Sequence, residues 1–443
     1  MTTVAERRYP VSLQQEFLCI FDKGDDAGPF GPRYHHVGGW RVRGRIDDAT
    51  LQAALDDVVH RHEALRTVIV RDEGDPYLRI SEPVPVRLET RTLPRTPPDL
   101  RELEAERFLN EIEGGEFDVR SLPLVRAFLG RFDDDDAVLA LMVHHTAVDS
   151  WSVMLMVRDL ANRYAARSGY SVPDLAPPLQ YREYAAIQRA ETGGGARTRA
   201  AREYWRRKLD GGEIIALPTD RMRSTAPDFR TSWYRFSVPG ELASTALAQA
   251  SKLRGSAFMV FLAAFKVMIR DLTGKTDLVV PTFTSGRSGS RIQDTVGAFF
   301  NFLPLRTDIA DCADFSDVVR KCRTTCLEAY RHELPLMQLL EEAPGLMRPA
   351  AVDGLAASVF QVVQSPFSMR SDTVGDLSYT SISRHLLSLP VGSDIPDGSL
   401  WSLQLGPNGE LTGSLGYSSN LHDEAPMVAM LERYLETLRR CLT

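Results

Sequence analysis

No apolar run in this chain of 443 residues approaches the ~18 residues that a membrane-spanning helix needs. Cysteine is sparse. The five thiols (Cys19, Cys312, Cys322, Cys326, Cys441) are odd in number and scattered, which excludes a disulfide framework. Cys322 and Cys326 lie one helical turn apart, but no further Cys or His completes a ligand set, so no metal site is predicted. Basic charge is not in excess either. The net charge is -7 and the pI about 5.8, which argues against the basic stripe of a general nucleic-acid binder. There is no Walker-type phosphate loop and no Gly-x-Gly-x-x-Gly opening a helix. Gly-x-Ser-x-Gly is missing from any strand–turn–helix setting, which argues against a serine hydrolase. The first residues, Met1 to Arg8, lack an apolar core, so no secretory leader is predicted and the cytoplasm is the default location. Neither nucleic acid nor membrane is expected as a partner.

What is present is an ordinary globular composition, 43% hydrophobic and 25% charged, over a length that suits two or three lobes. The first half reads as mixed α/β. A strand is predicted over 37–46. A helix follows to about His62, with Leu51, Leu55, Val58 and Val59 on one face. Residues 65–70 read as a strand and 100–112 as a helix. Residues 124–132 and 137–143 read as a hairpin turning through Asp133 to Asp136, taken as a solvated turn. Val172-Pro173-Asp174-Leu175-Ala176-Pro177-Pro178 marks a lobe boundary, which divides the chain into 1–175 and 176–443. Beyond it, a helical region over 181–209 breaks near Gly193-Gly194-Gly195. Its Arg197, Arg199, Arg202, Arg206, Arg207 and Lys208 read as a solvated face. Strands are predicted near 233–236, 278–283, 302–309, 359–363, 400–405 and 411–417, the last two joined by Pro407-Asn408-Gly409. Helices are predicted from about 241 and over 257–269, 315–331 and 426–440.

Chemistry concentrates in His144-His145-Thr146-Ala147-Val148-Asp149-Ser150-Trp151-Ser152. Ahead of it, Ala137 to Val143 is a continuous apolar run of strand length. After it, Val153 to Arg167 keeps a helical period that stops at Gly169. The histidine pair therefore falls at the end of a buried strand, before a helix N-terminus whose partial positive charge disfavours imidazolium. A neutral imidazole there can take a proton from an attacking amine or alcohol. The same residues also suit a histidine hydrogen-bonded inside a core, since His-x-x-x-Asp is a loose pattern in a chain with nine histidines. Pattern alone leaves both readings open.

Together with Arg61-His62-Glu63-Ala64-Leu65-Arg66-Thr67, this segment resembles the condensation domains of nonribosomal peptide synthetases. Other blocks stand in that family's order. They are Ser12-Leu13-Gln14-Gln15, Tyr181-Arg182-Glu183-Tyr184-Ala185, Val296-Gly297-Ala298-Phe299-Phe300-Asn301-Phe302-Leu303-Pro304-Leu305-Arg306 and His332-Glu333-Leu334-Pro335. Tyr204-Trp205-Arg206 and Leu217-Pro218-Thr219-Asp220-Arg221 are further landmarks. The resemblance covers nearly the whole chain. It implies an α/β (α+β) fold of two chloramphenicol-acetyltransferase-like lobes, a V-shaped pseudodimer with a tunnel between them, the second lobe sending crossover segments back to the first. It implies acyl transfer from a carrier-protein phosphopantetheine thioester to an amine or alcohol, which forms an amide or ester. No bound cofactor is expected, since the pantetheine arrives on an acyl-loaded carrier protein. One condensation unit uses the whole length, so the enzyme is expected to be free-standing and the carrier to act in trans.

Carried onto this sequence, the resemblance makes His145 the catalytic histidine and His144 its supporting neighbour. Asp149 is implied to be structural, paired with Arg287 of the second lobe, and Arg61 is structural too. The family's Gly after the Asp is Ser150 here; its backbone N–H can still serve an oxyanion. Ser152 either assists the oxyanion or caps the helix. Tyr34, Phe283, Phe300, Asn301 and Met337 are expected to line the tunnel. Three other readings share the fold: a coenzyme-A-dependent acyltransferase, an epimerase relative and a non-catalytic recruitment domain. Trp151 stands before Ser152 rather than after it, which departs from the epimerase pattern.

Overall fold

The computed structural model describes residues 7–72, 74–191, 194–225, 229–287, 289–363, 372–386, 388–395, 397–406 and 410–443. Gly193 and the residues of the turn expected at Pro407-Asn408-Gly409 lie outside them.

The first lobe is built on a sheet whose order across the strands is Asp372–Val374, Leu377–Ser381, His35–Arg43, Asp136–His144, Val125–Asp133 and Arg87–Thr92. Asp136–His144 is apolar on both faces and buried along its whole length, which fits its place inside the sheet. Its neighbour His35–Arg43 alternates. Trp40 and Val42 point to the face covered by the helices Asp48–Arg61 and Ser150–Arg167. Gly39 points to the other face, where a Cβ would lie 2.4 Å from Leu109 of the helix Arg101–Glu113, so glycine is what lets this helix sit close.

The second lobe has a sheet in the order Ser388–Leu389, Thr231–Val238, Leu411–Ser418, Ser399–Leu405, Leu355–Val363 and Ala216–Pro218. Its core is organised around the helix Ala257–Thr273, buried on nearly every side. The Lys266 ammonium in that helix is fully buried and donates to the carbonyls of Leu278 and Leu305, at 2.9 and 2.7 Å. Those carbonyls belong to the antiparallel pair Asp277–Thr284 and Asn301–Asp308, whose connection carries residues 285–287 and 289–300 toward the first lobe.

The two halves of the chain exchange segments in both directions. Strand Leu377–Ser381 pairs with His35–Arg43 and so completes the first-lobe sheet. Downstream of it, Glu106 accepts the amides of His385 and Leu386, and Glu113 pairs with Arg235 at 2.7 Å and with Arg384. In return, Phe17 and Leu18 of the helix Leu13–Ile20 are buried in the second-lobe core.

Of two surface expectations, one is corrected in part: Asp133, Asp134 and Asp135 are exposed as expected, and Asp136 is not. The acidic turn is not simply solvated. Asp136 is buried and held by Arg41, by Arg43 at 2.5 Å and by Arg101 at 2.6 Å, which keeps its carboxyl below the usual range despite burial. The basic helix Ala196–Lys208 keeps its expected solvated face: Arg197, Arg199, Arg206 and Arg207 are exposed, while Arg202 pairs with Glu341 at 2.6 Å and Arg206 with Glu342 at 2.7 Å.

Candidate active site

Strand alternation decides what each histidine can do. His35 and His144 are cross-strand partners, and the His145 amide donates to the Tyr34 carbonyl at 2.9 Å. Tyr34, His36 and His145 therefore share one face, while His35 and His144 point to the other. His144 is fully buried. Its Nε2 faces the Gly31 carbonyl at 3.2 Å, so it carries the proton, and Nδ1 accepts from the Thr146 hydroxyl at 2.9 Å. Burial holds this imidazole down at about 3, with the Gly31 hydrogen bond working weakly the other way. Both ring nitrogens are in use, which gives His144 a supporting place and no access to a reacting atom.

His145 is half-buried and differs in the one respect that matters. Its Nδ1 lies 2.8 Å from the Val148 carbonyl. A carbonyl only accepts, so the proton sits on Nδ1 and the Nε2 lone pair is free. The ring stacks on Tyr34 (5.1 Å, 22°) and meets the edge of Phe300 (5.8 Å, 78°) and His36 (6.5 Å, 74°). Burial pushes its pKa down, so the neutral base persists below the usual histidine range.

Asp149 is the N-cap of the helix Ser150–Arg167 and accepts from the Ser152 amide at 2.7 Å. The same carboxylate meets the Arg287 guanidinium at 2.9 Å, and that guanidinium also donates to the carbonyls of Ile292 and Thr295, each at 2.8 Å. Arg287 lies 4.0 Å from the Phe299 ring centre. The Ser152 hydroxyl is fully buried; it receives Arg287 (2.8 Å) and the Gly297 amide (3.0 Å) and reaches Asp149 at 2.6 Å. This corrects both roles expected of Ser152. Its single O–H is held by the Asp149 carboxylate and the Gly297 carbonyl, so it has no proton to offer an oxyanion, and the cap is Asp149, because the helix begins three residues earlier than its apolar period suggests. Ser150 is exposed at the first helical turn, where backbone N–H groups have no partner within the helix.

Residues 5–443 match the Condensation domain family profile. The chain belongs to the condensation-domain family. It is 30% identical over 96% of its length to a linear gramicidin synthase of Brevibacillus parabrevis, and 32% identical over 97% to the probable non-canonical synthetase CymA of Salinispora arenicola. It spans only 8% and 5% of those two relatives. Among solved structures, it matches SgcC5 of Streptomyces globisporus with a TM-score of 0.95 and 47% identity over 98% of both chains. The first condensation domain of the calcium-dependent antibiotic synthetase matches with a TM-score of 0.76 and 21% identity, over 98% of this chain and 96% of that one, a likeness of fold. The expected fold is thus the observed one: a mixed, two-lobed chloramphenicol-acetyltransferase-like architecture, in a family whose chemistry is condensation by acyl transfer.

Three of the family blocks converge on Tyr181. Its hydroxyl sits 2.8 Å from Ser12 Oγ and donates to the Ala298 carbonyl at 2.7 Å. A Cβ on Gly297 would lie 1.8 Å from the Tyr181 ring. Arg61 pairs with buried Asp159 at 2.8 Å and donates to the carbonyls of Leu175 and Ala176, so it pins the proline-rich segment after the site helix. Of the tunnel candidates, Tyr34 and Phe300 touch His145, and Phe283 stands edge-on to Phe300 at 5.9 Å. Asn301 is buried, and its amide donates to Glu333 (3.0 Å) and the Leu334 carbonyl (2.9 Å), a structural tie. Met337 is half-buried on the helix Leu336–Glu342, which packs on Leu13–Ile20. Sequence reasoning misses His36; a strand started at His35 instead of Val37 would put it on the His145 face. No group of three or more metal-ligating side chains, and no helix long and apolar enough to cross a membrane, occurs among the described residues.

Proposed function

We propose that this chain is a free-standing condensation enzyme that moves an acyl group from a carrier-protein phosphopantetheine thioester to an alcohol, forming an ester. The observation that carries the reading is the fixed tautomer of His145, with Nδ1–H on the Val148 carbonyl and Nε2 free beside Tyr34 and Phe300. The acceptor hydroxyl attacks the thioester carbon while Nε2 takes its proton. The tetrahedral oxyanion is met by the Ser150 N–H at the helix start. Collapse breaks the C–S bond, and Nε2 returns the proton to the departing thiolate. A charged imidazolium exists only during the reaction, where Asp149 adds attraction. An alcohol is favoured over an amine because the SgcC5 chain, 47% identical, is solved in complex with (R)-(-)-1-(2-naphthyl)-1,2-ethanediol.

The test offers one acyl group as a carrier-protein thioester and as a coenzyme A thioester, with aryl diols and matched amines. Ester formed from the carrier thioester is the expected product, read by mass spectrometry. Equal use of coenzyme A would move the chain to the acyltransferase branch of the fold, and amide as the main product would reverse the choice of acceptor.

A further inference from the structure

The His36 imidazole faces the same space as His145 and is half-buried, yet it makes no hydrogen bond among the described residues. The neighbouring histidines are all engaged: His35 by the carbonyls of Pro32 and Glu113, His144 by Gly31 and Thr146, His145 by Val148. The rest of this wall is aromatic, with Tyr34 stacked on His145 and Phe300 edge-on to it. Water can reach this half-buried ring, and a ligand that displaces the water must pair with the imidazole or leave it desolvated at a cost. Burial, with His145 and Arg384 adding to it, holds His36 at about 3, so the ring is neutral and presents one donor and one acceptor. A hydroxyl needs just that combination. The ring centres of His36 and His145 are 6.5 Å apart, nearly perpendicular. With hydrogen bonds of about 2.8 Å, one small polyol can touch both rings.

We infer that His36 is the specificity residue for a vicinal-diol acceptor: His145 takes the proton of the attacking hydroxyl, and His36 binds the hydroxyl on the adjacent carbon. This rests on the alcohol-acceptor reading above. An acceptor without the second hydroxyl leaves His36 desolvated and unpaired, which is how a buried polar group rejects an analogue.

The experiment measures binding, so it needs no acyl donor. The probes are 1-(2-naphthyl)-1,2-ethanediol and 2-(2-naphthyl)ethanol, which lacks the benzylic hydroxyl. Each is titrated by calorimetry into the wild-type chain, into His36→Phe, which keeps a ring of similar size, and into His36→Leu. The wild type is expected to bind the diol about ten times more tightly than the mono-alcohol. Both variants should bind the two compounds about equally, because the diol loses its partner and the mono-alcohol no longer strands an unpaired imidazole. A ratio within each variant is insensitive to modest loss of stability. If the wild type prefers the diol and the variants keep that preference, the role of His36 is overturned and the acceptor reading stands. If the wild type binds neither probe, or binds both alike, the diol reading falls and the inference with it.

Discussion

Removing one side of the buried Asp149–Arg287 pair should cost far more than breaking a surface ion pair. The Arg287 side chain is 1% exposed and that of Asp149 9%, so neither charge is rescued by water. Asp149→Ala removes an N-cap, about 1 kcal/mol. It also strands a buried guanidinium, on the order of 3 kcal/mol or more. The expected loss is therefore about 4 kcal/mol. Arg287→Ala leaves the carboxylate with the Ser152 amide and hydroxyl, but it unpairs the Ile292 and Thr295 carbonyls, for a loss of about 3 kcal/mol. In the double variant no charge is stranded, so the loss should be about 5 kcal/mol, about 2 less than the sum. Asp149→Asn separates the contributions because it keeps a capping oxygen and drops the charge. Urea denaturation of the four chains gives the cycle. Losses that add to within about 0.5 kcal/mol would refute the reasoning, since they would mean that the two charges do not sense each other. Turnover will fall in every one of these variants without implicating Asp149 in chemistry, because the helix start and the His145 turn move with it.

His145→Ala should lower turnover by roughly 10²–10⁴-fold while thermal unfolding stays near wild type, and retained turnover would remove the base from the scheme. Stability should fall on acidification. His35 and His144 are held at about 4 and about 3 in the folded chain, against 6.5 when unfolded, so the unfolded chain binds more protons below that value. Their contribution is present above pH 6.5 and is lost as pH falls through about 4 for His35 and about 3 for His144; at pH 5 the two together cost about 4 kcal/mol. A urea midpoint unchanged between pH 7.5 and pH 5 would show that these rings accept protons without unfolding.

Elements whose pattern and burial agree are legible in the sequence. The hairpin Val125–Asp133 and Asp136–His144 announces itself by continuous apolar runs around four acids, and the helix Phe315–Arg331 by its period. The strands Asp372–Val374 and Leu377–Ser381 are not legible. They are short and mostly exposed, so neither burial nor alternation marks them. The site helix starts ahead of its apolar period because Ser150 and Trp151 precede the first apolar turn. The Asp149–Arg287 pair bridges 138 residues and no local pattern connects its members; only the family resemblance points to it. Gly286 gives a physical trace of the same junction. Its φ is +61°, and a Cβ there would lie 1.9 Å from the Phe299 carbonyl, so this turn accepts glycine alone.

The strand Leu377–Ser381 has a consequence for how the protein is made. During synthesis, the ribosome releases His35–Arg43 about 330 residues before the strand that covers its outer edge. Through that interval the nascent first lobe carries an open edge of unpaired amides and carbonyls, a template for pairing with another chain. Closure also requires contacts of very large sequence separation, which form slowly. The late step in folding is therefore the docking of this strand, and polysomes crowded with half-finished chains are where the protein is most exposed to aggregation.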